Sequence, residues 1–471
     1  MIPLTVAEIT AAVGGTLHGG DPATIGAAVV DGPVEYDSRK VAPGGLFVAF
    51  AGAKVDAHDF AAKALTDGAV AVLGTRPVDG VPTIVVEDPL TAVGLLARAV
   101  LARLSGLTVV AVTGSSGKTS TKDLIAALLR AAGPTVATAA SENNELGTPY
   151  TVLKVTAGTR FLVLEMGSRG VGHLRYLCDI APPDVSVVVN VGVAHIAEFG
   201  SVEGTALAKG ELVEALRPSG LAVLNADDPR VAAMAARTTA RVVLAGESAL
   251  SDFRASDVVG LDRGRYGFTL HVPGGATVPV RLDAAGRHQV GNALLAAAVA
   301  SHAGVDPAGI AATLGDLEGL STRRMDVFDR ADDVTVIDDS YNANPASMAA
   351  ALRALTAVAG GRRMIAVLGF MAELGEYERT GHEEVGRLAA ELGVDRLVAV
   401  GEQAAPILHG ASVVASWGGD PVLVTDQEAA VALLRDELRP RDVVLVKGSR
   451  YRTWDIADAL RDGARGRADA K

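Results

Sequence analysis

The stretch TVVAVTGSSGKTSTKDLIAALL, residues 108–129, decides the fold class. It opens with a β-branched apolar run, the composition of a strand buried on both faces. A turn of glycine and serine follows, and then leucine and alanine at helical spacing. Strand, glycine-rich turn and helix in succession aim several backbone N–H groups from the positive end of a helix dipole, which is how a chain cradles a phosphate. Lys118 supplies a cation for β- and γ-phosphates, and the Thr119 hydroxyl can hold Mg²⁺. The longer pattern GxxxxGK[ST] wants glycine at 112, where this chain has Val112; the match is to the shorter GxxGKT of Gly114, Gly117, Lys118 and Thr119. Ser115, Ser116 and Ser120 complete the expected nucleotide contact. A chance hairpin carrying a lysine would not be framed by a strand and a helix.

Outward from this segment the same alternation continues. Short β-branched runs are expected as strands at 69–73, 83–86, 108–112, 160–164, 185–191, 221–224, 242–245, 334–337, 364–368, 396–400 and 442–446, with Ala/Leu-rich helical stretches between them. That is the pattern of an α/β protein with a largely parallel sheet. Between 253 and 282 the pattern shifts to short alternating segments with GG, RG and PGG turns, which reads as β-hairpins appended to a middle domain. Breaks near Glu87–Asp88–Pro89 and at LEGLST (317–322) divide the chain into three domains, 1–86, 87–317 and 318–471. The tail RDGARGRADAK reads as frayed.

Composition narrows the function. The 471 residues allow two to four domains, and 49% hydrophobic residues provide cores for each. With 43 basic and 55 acidic residues the net charge is -12, which argues against nucleic acid or an anionic membrane as the main partner. The single Cys178 cannot form an internal disulfide, as expected of a reducing compartment. MIPLTVAEITAAVGG lacks a basic segment followed by a long apolar stretch, and no apolar run reaches the ~18–20 residues of a membrane helix. A cytoplasmic monomer without membrane insertion is the expectation.

A phosphate loop does not name a reaction, but metal ligands should accompany it. FLVLEMGSRG places Glu165 at the end of a strand, where open α/β sheets bind ligands. VSVVVNVGVAHIAEFGS ends another strand and brings His195. Either alone is more often structural; in one domain with the loop they form a candidate metal shell.

The set TGSSGKTS, SENNELGTP, EMGSRG, NVGVAHIAEFGS and ALAKGEL resembles the Mur ligase family, ATP-dependent amide ligases of peptidoglycan precursor synthesis. The resemblance covers essentially the whole chain, with motifs in order. It implies an N-terminal UDP-binding α/β domain, a central ATP-binding domain and a C-terminal Rossmann-like domain, with ATP and Mg²⁺ as cofactors. It implies carbamylation of Lys209, which turns an amine into a carboxylate-like metal ligand beside Glu165 and His195 and requires a depressed Lys209 pKa. GRHQVGNALLAAAVA resembles the adenine-side motif, with His288 and Asn292, and Arg324 in STRRMDV and Asp339 in VIDDSYNANPASM resemble the arginine and ribose-binding aspartate of the last domain. ATP would then lie between the second and third domains.

DSYNANPASM, VLGFMAELG and VVLVKGSR resemble the branch that adds D-alanyl-D-alanine to UDP-N-acetylmuramoyl-tripeptide. Ser38 and Arg39 of YDSRK are implied at the uridine-diphosphate end, Arg being a natural phosphate partner. Asn144 would orient phosphate or substrate carboxylate, with Tyr341, Asn344, Ser449 and Arg450 near the incoming dipeptide. The implied reaction phosphorylates the tripeptide carboxylate, and the dipeptide amine then attacks the acyl phosphate. Two departures stand out: Phe370 where the family has aspartate, and Ala57 where it has glycine. A folylpolyglutamate-type ligase is disfavoured because it has no UDP-binding domain; a nucleotide-binding scaffold without turnover is the rival of another class. Whether the tripeptide ends in lysine or diaminopimelate stays open.

Overall fold

A computed structural model describes residues 1–52, 54–192, 199–317, 320–449 and 451–465. His195 and Arg450 fall outside these described residues. The fold is mixed α/β in three domains. The first carries a five-stranded sheet in the order Thr16–His18, Thr83–Val85, Ala69–Gly74, Gly45–Val48, Val34–Glu35. The C-terminal domain carries a six-stranded sheet, Asp326–Asp329, Thr335–Asp338, Val443–Lys447, Met364–Gly369, Arg396–Val400, Asp420–Val424, parallel except for its first strand.

Between them lies a nine-stranded sheet ordered Thr277–Leu282, Tyr266–His271, Phe253–Gly260, Arg241–Gly246, Leu221–Asn225, Val185–Val188, Thr108–Thr113, Phe161–Glu165, Thr135–Ala137. Strand Thr108–Thr113 pairs in parallel with Phe161–Glu165 on one side and Val185–Val188 on the other. It therefore sits where successive crossovers diverge, the crevice in which open α/β sheets bind ligands. Helix Lys118–Ala132 follows because Gly117, at φ +76°, takes a left-handed turn that a side chain would resist. The helix buries Leu124, Ile125, Leu128 and Leu129 in the central core, in one cluster with residues of helix Gln289–His302.

The hairpins at 253–282 are not an appendage: strand Phe253–Gly260 pairs in parallel with Arg241–Gly246, so they extend the central sheet itself. The strand expected at 185–191 stops at Val188, because Asn190 turns off to hydrogen-bond the phosphate loop. Helix Trp454–Arg465 runs into the tail expected to fray. The edge strands Asp420–Val424 (DPVLV) and Thr16–His18 (TLH), mostly exposed, were missed, the first because it opens on Asp-Pro and the second because three residues carry no alternation.

The domains touch at defined points. The Tyr150 hydroxyl donates to Glu35 at 2.8 Å, joining the first domain to the second. Ser321 N–H donates to Asp123 at 2.9 Å, and Arg263 pairs with Asp329 at 3.0 Å, joining the second to the third.

Candidate active site

All three domains line one cavity of about 960 Å³. Its floor is the phosphate loop. Ser116 N–H donates to the Asn190 side-chain oxygen at 2.9 Å, and Asn190 Nδ2 returns bonds of 3.1 Å to the Ser116 carbonyl and hydroxyl. A Cβ on Gly114 would come within 2.9 Å of Val189, so the loop can lie this close to the neighbouring strand end only with glycine there. Lys118 Nζ donates to the Gly114 carbonyl at 2.8 Å, across the mouth of the loop. Burial lowers the Lys118 pKa, the Glu165 carboxylate opposes that shift and the Arg324 guanidinium adds to it. The phosphate loop's Ser115, Ser116, Gly117, Thr119 and Ser120 also line the cavity; Gly114 lies behind it.

Beside the loop, strand Phe161–Glu165 delivers Glu165, 1% exposed. Its Oε1 accepts from Asn143 Nδ2 at 2.6 Å, whereas its buried Oε2 has no hydrogen-bond partner among the described residues. An orphaned carboxylate oxygen aimed into a polar cavity is costly unless a cation or donor joins it. With the Thr119 hydroxyl it forms a hard-oxygen donor pair suited to a small divalent cation. Among the described residues no cluster of three His, Cys, Asp or Glu exists, so Glu165 is short of acidic company.

Lys209, on helix Val202–Glu214, is 4% exposed and lines the same cavity. Burial, reinforced by the neighbouring Lys118 charge, holds its pKa well below the usual lysine range. Its ammonium lies 5.6 Å from the Phe199 ring centroid. A desolvated amine of this kind gives up its proton, and becomes nucleophilic, at a lower pH than an exposed lysine.

On the opposite wall stand His288, Asn292, Arg324, Asp339, Tyr341 and Asn344, all lining the cavity. Burial lowers the His288 pKa against the pull of Asp339, which favours the neutral ring. Asn292 donates to Gln289 Oε1 at 2.8 Å and backs the phosphate loop: a Cβ on Gly117 would lie 3.1 Å from its side-chain oxygen. Arg324 stacks on Tyr341, guanidinium carbon 4.3 Å from the ring centroid. Asn344 caps helix Pro345–Ala359, its oxygen accepting from Ser347 N–H at 2.9 Å. Asn144 likewise lines the cavity while its oxygen accepts from Gly147 N–H at 2.9 Å.

Three substrate expectations fall elsewhere. Ser38 and Arg39 do not line this cavity; Arg39 is 85% exposed and clasps Asp37 bidentately at 2.9 and 2.7 Å. Ser449 is buried, its hydroxyl 2.9 Å from both the Asn342 side-chain oxygen and the Ala343 carbonyl, so it fixes the turn behind the wall. Phe370, in place of the family's aspartate, stacks on His382 with centroids 5.1 Å apart and adds an apolar contact where a charge was expected.

The sequence reading passed over Asn143, Asn190 and Lys447. Each lay inside a motif already singled out, SENN, NVG and VKGSR, but an amide or a lysine in such a motif shows no role until its distant partner is placed beside it. Lys447 is the most consequential. It is 2% exposed, pairs with Asp339 at 2.6 Å and donates to the Asn342 carbonyl at 2.9 Å. It thereby fixes the carboxylate that faces the cavity. Removing one partner of such a pair leaves an uncompensated charge, so Lys447→Met should lower stability by about 3 kcal/mol. The double variant Lys447→Met/Asp339→Asn should recover part of that loss in thermal denaturation.

The chain matches three family models: Mur ligase family, catalytic domain, over 33–100; Mur ligase middle domain over 112–300; and Mur ligase, glutamate ligase domain, over 323–450. It is 47% identical over 498 residues to the UDP-N-acetylmuramoyl-tripeptide--D-alanyl-D-alanine ligase of Mycobacterium leprae, across 95% of this chain and 96% of that one. It is 37% identical to the enzyme of the same description from Escherichia coli, across 96% of each chain. Among solved structures it is similar to MurF from Acinetobacter baumannii, with TM-score 0.86, 31% identity and 98% and 99% of the two chains covered. It also resembles a MurF ligase from Thermotoga maritima in complex with ADP, with TM-score 0.79, 30% identity and 92% and 98% covered. A phosphate loop in the central crevice and near-half identity along almost the full length of a relative lead to one conclusion: the chain belongs to the Mur ligase family.

Proposed function

We propose that this protein joins D-alanyl-D-alanine to UDP-N-acetylmuramoyl-tripeptide at the expense of ATP, giving the pentapeptide, ADP and phosphate in peptidoglycan precursor synthesis. The observation that carries this reading is the likeness to ligases of that description over more than nine-tenths of both chains. The cavity walled by three domains supports it, since a sugar nucleotide, ATP and a dipeptide must meet there.

A carboxylate is a poor electrophile until one oxygen becomes a leaving group. The tripeptide carboxylate therefore attacks the γ-phosphorus, ADP departs, and the free amine of the dipeptide attacks the resulting acyl phosphate. The amine loses a proton and inorganic phosphate leaves. Lys118, released from the Gly114 carbonyl, neutralises charge on the transferring phosphoryl oxygens. The N–H groups of Gly117 and Lys118 hold the phosphates at the helix N-terminus, while those of Ser115 and Ser116 tie the loop to Asn190. Thr119 and Glu165 are the groups that would hold Mg²⁺, with Lys209 as its carbamate and His195 as further ligands; the metal would supply neutralisation of the charge on the phosphate oxygens. His288 and Asn292 serve the base side of the nucleotide, and Arg324 and Asp339 close over it from the third domain. Tyr341 and Asn344 face the incoming dipeptide, and the first domain, with Ser38 and Arg39, takes the uridine diphosphate. Domain boundaries at 86/87 and 317/318 follow the same division of labour.

The test is phosphate release from ATP and Mg²⁺ with UDP-N-acetylmuramoyl-tripeptide and D-alanyl-D-alanine, added singly and together. Release should require both, with the pentapeptide product identified by mass. Release supported by a single amino acid in place of the dipeptide would move the assignment to a sister ligase.

A further inference from the structure

Two hydroxyls and a guanidinium meet at Ser141, a residue that the reaction scheme above leaves unused. Ser141 Oγ lies 3.2 Å from Thr119 Oγ1, on the phosphate-loop helix, and accepts from Arg324 of the third domain at 3.0 Å. The chain reaches this position through strain. Ala140, immediately before it, is held at φ +47°, a left-handed conformation that a residue with a side chain resists. Such outliers persist where the surroundings fix them for a purpose. Two residues further on, Asn143 donates to Glu165 at 2.6 Å. One short segment thus grips both oxygen donors of the candidate cation site, the hydroxyl and the carboxylate.

We propose that Ser141 is a positioning residue that reports closure of the third domain to Thr119 and so to the cation site; this rests on the nucleotide-ligase reading above. The argument is a count of protons and lone pairs. Arg324 can only donate, so it occupies one lone pair of Ser141 Oγ. A threonine hydroxyl that offers its lone pair to a cation must send its own proton elsewhere, and Ser141 Oγ is the acceptor within reach. With both lone pairs filled, the Ser141 proton is free to point into the cavity toward a phosphate or carboxylate oxygen. Withdrawal of Arg324 on domain opening removes the charge-assisted bond that holds Ser141 in this orientation, and the Ser141 hydroxyl can then turn over and donate to Thr119 Oγ1, filling the lone pair that the cation would take. Cation affinity and domain closure are thereby coupled through one oxygen atom, and coupling of this kind is reciprocal.

The experiment is calorimetric ADP binding to the full-length protein with and without Mg²⁺, for wild type, Ser141→Ala, Ser141→Thr, Arg324→Gln and the double variant Ser141→Ala/Arg324→Gln. In wild type, Mg²⁺ should tighten ADP binding. Ser141→Ala should lose about tenfold of the affinity measured with Mg²⁺. It should keep the affinity measured without it, while Ser141→Thr, which retains the hydroxyl, stays near wild type. In the Ser141→Ala background, Arg324→Gln should cause no further loss of the Mg²⁺ effect. Equal weakening of Ser141→Ala with and without metal, no weakening at all, failure of threonine to restore, or losses that simply multiply in the double variant would each overturn the relay. A wild-type protein that binds ADP only with Mg²⁺ but shows no Ser141 effect would sink this inference alone. A wild type indifferent to ADP would sink the ligase reading with it.

Discussion

Lys118→Met is expected to lower kcat by about 10³-fold while the protein stays folded. The estimate follows from removing one preorganised charge from a transition state whose stabilisation is almost entirely electrostatic. Lys118 is half-buried, its ammonium donates to the Gly114 carbonyl, and the methionine retains most of its stem. Burial already depresses its pKa, so the ammonium is an expense to the empty enzyme that phosphate repays on arrival. The loss should therefore appear mainly in kcat, with weaker ATP binding as the smaller part. Single-turnover phosphate release, with unchanged circular dichroism and thermal midpoint, measures it. Retention of more than a tenth of kcat would show that the loop binds nucleotide without serving transfer.

Lys209→Ala should cost about as much, roughly 10²–10³ in kcat, for a different reason. The cavity holds one orphaned carboxylate oxygen, that of Glu165, and a buried amine whose pKa is pushed down by desolvation and by Lys118. A neutral amine can add carbon dioxide and become an anionic oxygen ligand. Alanine leaves space in which a small carboxylic acid fits, so formate or acetate should restore part of the activity. Wild-type protein supplied with ¹³C-bicarbonate should show a carbamate carbonyl resonance that Lys209→Ala lacks. Full activity without rescue would mean that the amine is merely packed. The sign with pH also follows. The unfolded chain keeps Lys209 protonated to about 10.4, the folded chain gives up the proton sooner, and between those two values stability rises with pH.

What the sequence disclosed and what it withheld divide along physical lines. The run 108–129 was legible because strand, left-handed glycine and helix N-terminus each leave a mark in residue type: β-branching, Gly117, then leucine at helical spacing. Glu165 was legible only in company: a carboxylate at the end of FLVLE is by itself more often structural, and the phosphate loop in the same domain gave it a use. Lys209 was not. On helical spacing it is a surface lysine, and only its 4% exposure in the fold, or family resemblance, removes it from the surface. Asn143, Asn190 and Lys447 were hidden for a related reason, since amides and a strand-end lysine acquire meaning only from partners 22, 74 and 108 positions away. The hairpins at 253–282 were read correctly in type but misplaced, because pairing with Arg241–Gly246 is a long-range choice that turn residues do not encode. Ser38 and Arg39 were implied at the uridine-diphosphate end by family resemblance alone, since the residues by themselves read as a turn with a surface arginine; Arg39 clasps Asp37.

The architecture also separates duties between two sheets. Lys118, Thr119 and Glu165 hang from the nine-stranded sheet, whereas Asp339, Tyr341 and Asn344 follow a strand of the six-stranded one. Contacts that stitch the two together include Arg324 to Ser141, Ser321 to Asp123 and Arg263 to Asp329. Such an enzyme behaves as a common engine with an interchangeable cartridge: the half that makes a carboxyl group reactive need not know which amine it will meet. A lineage can retool what it adds by redrawing the Tyr341–Asn344 turn and its neighbours, and inherit the phosphorus chemistry unaltered.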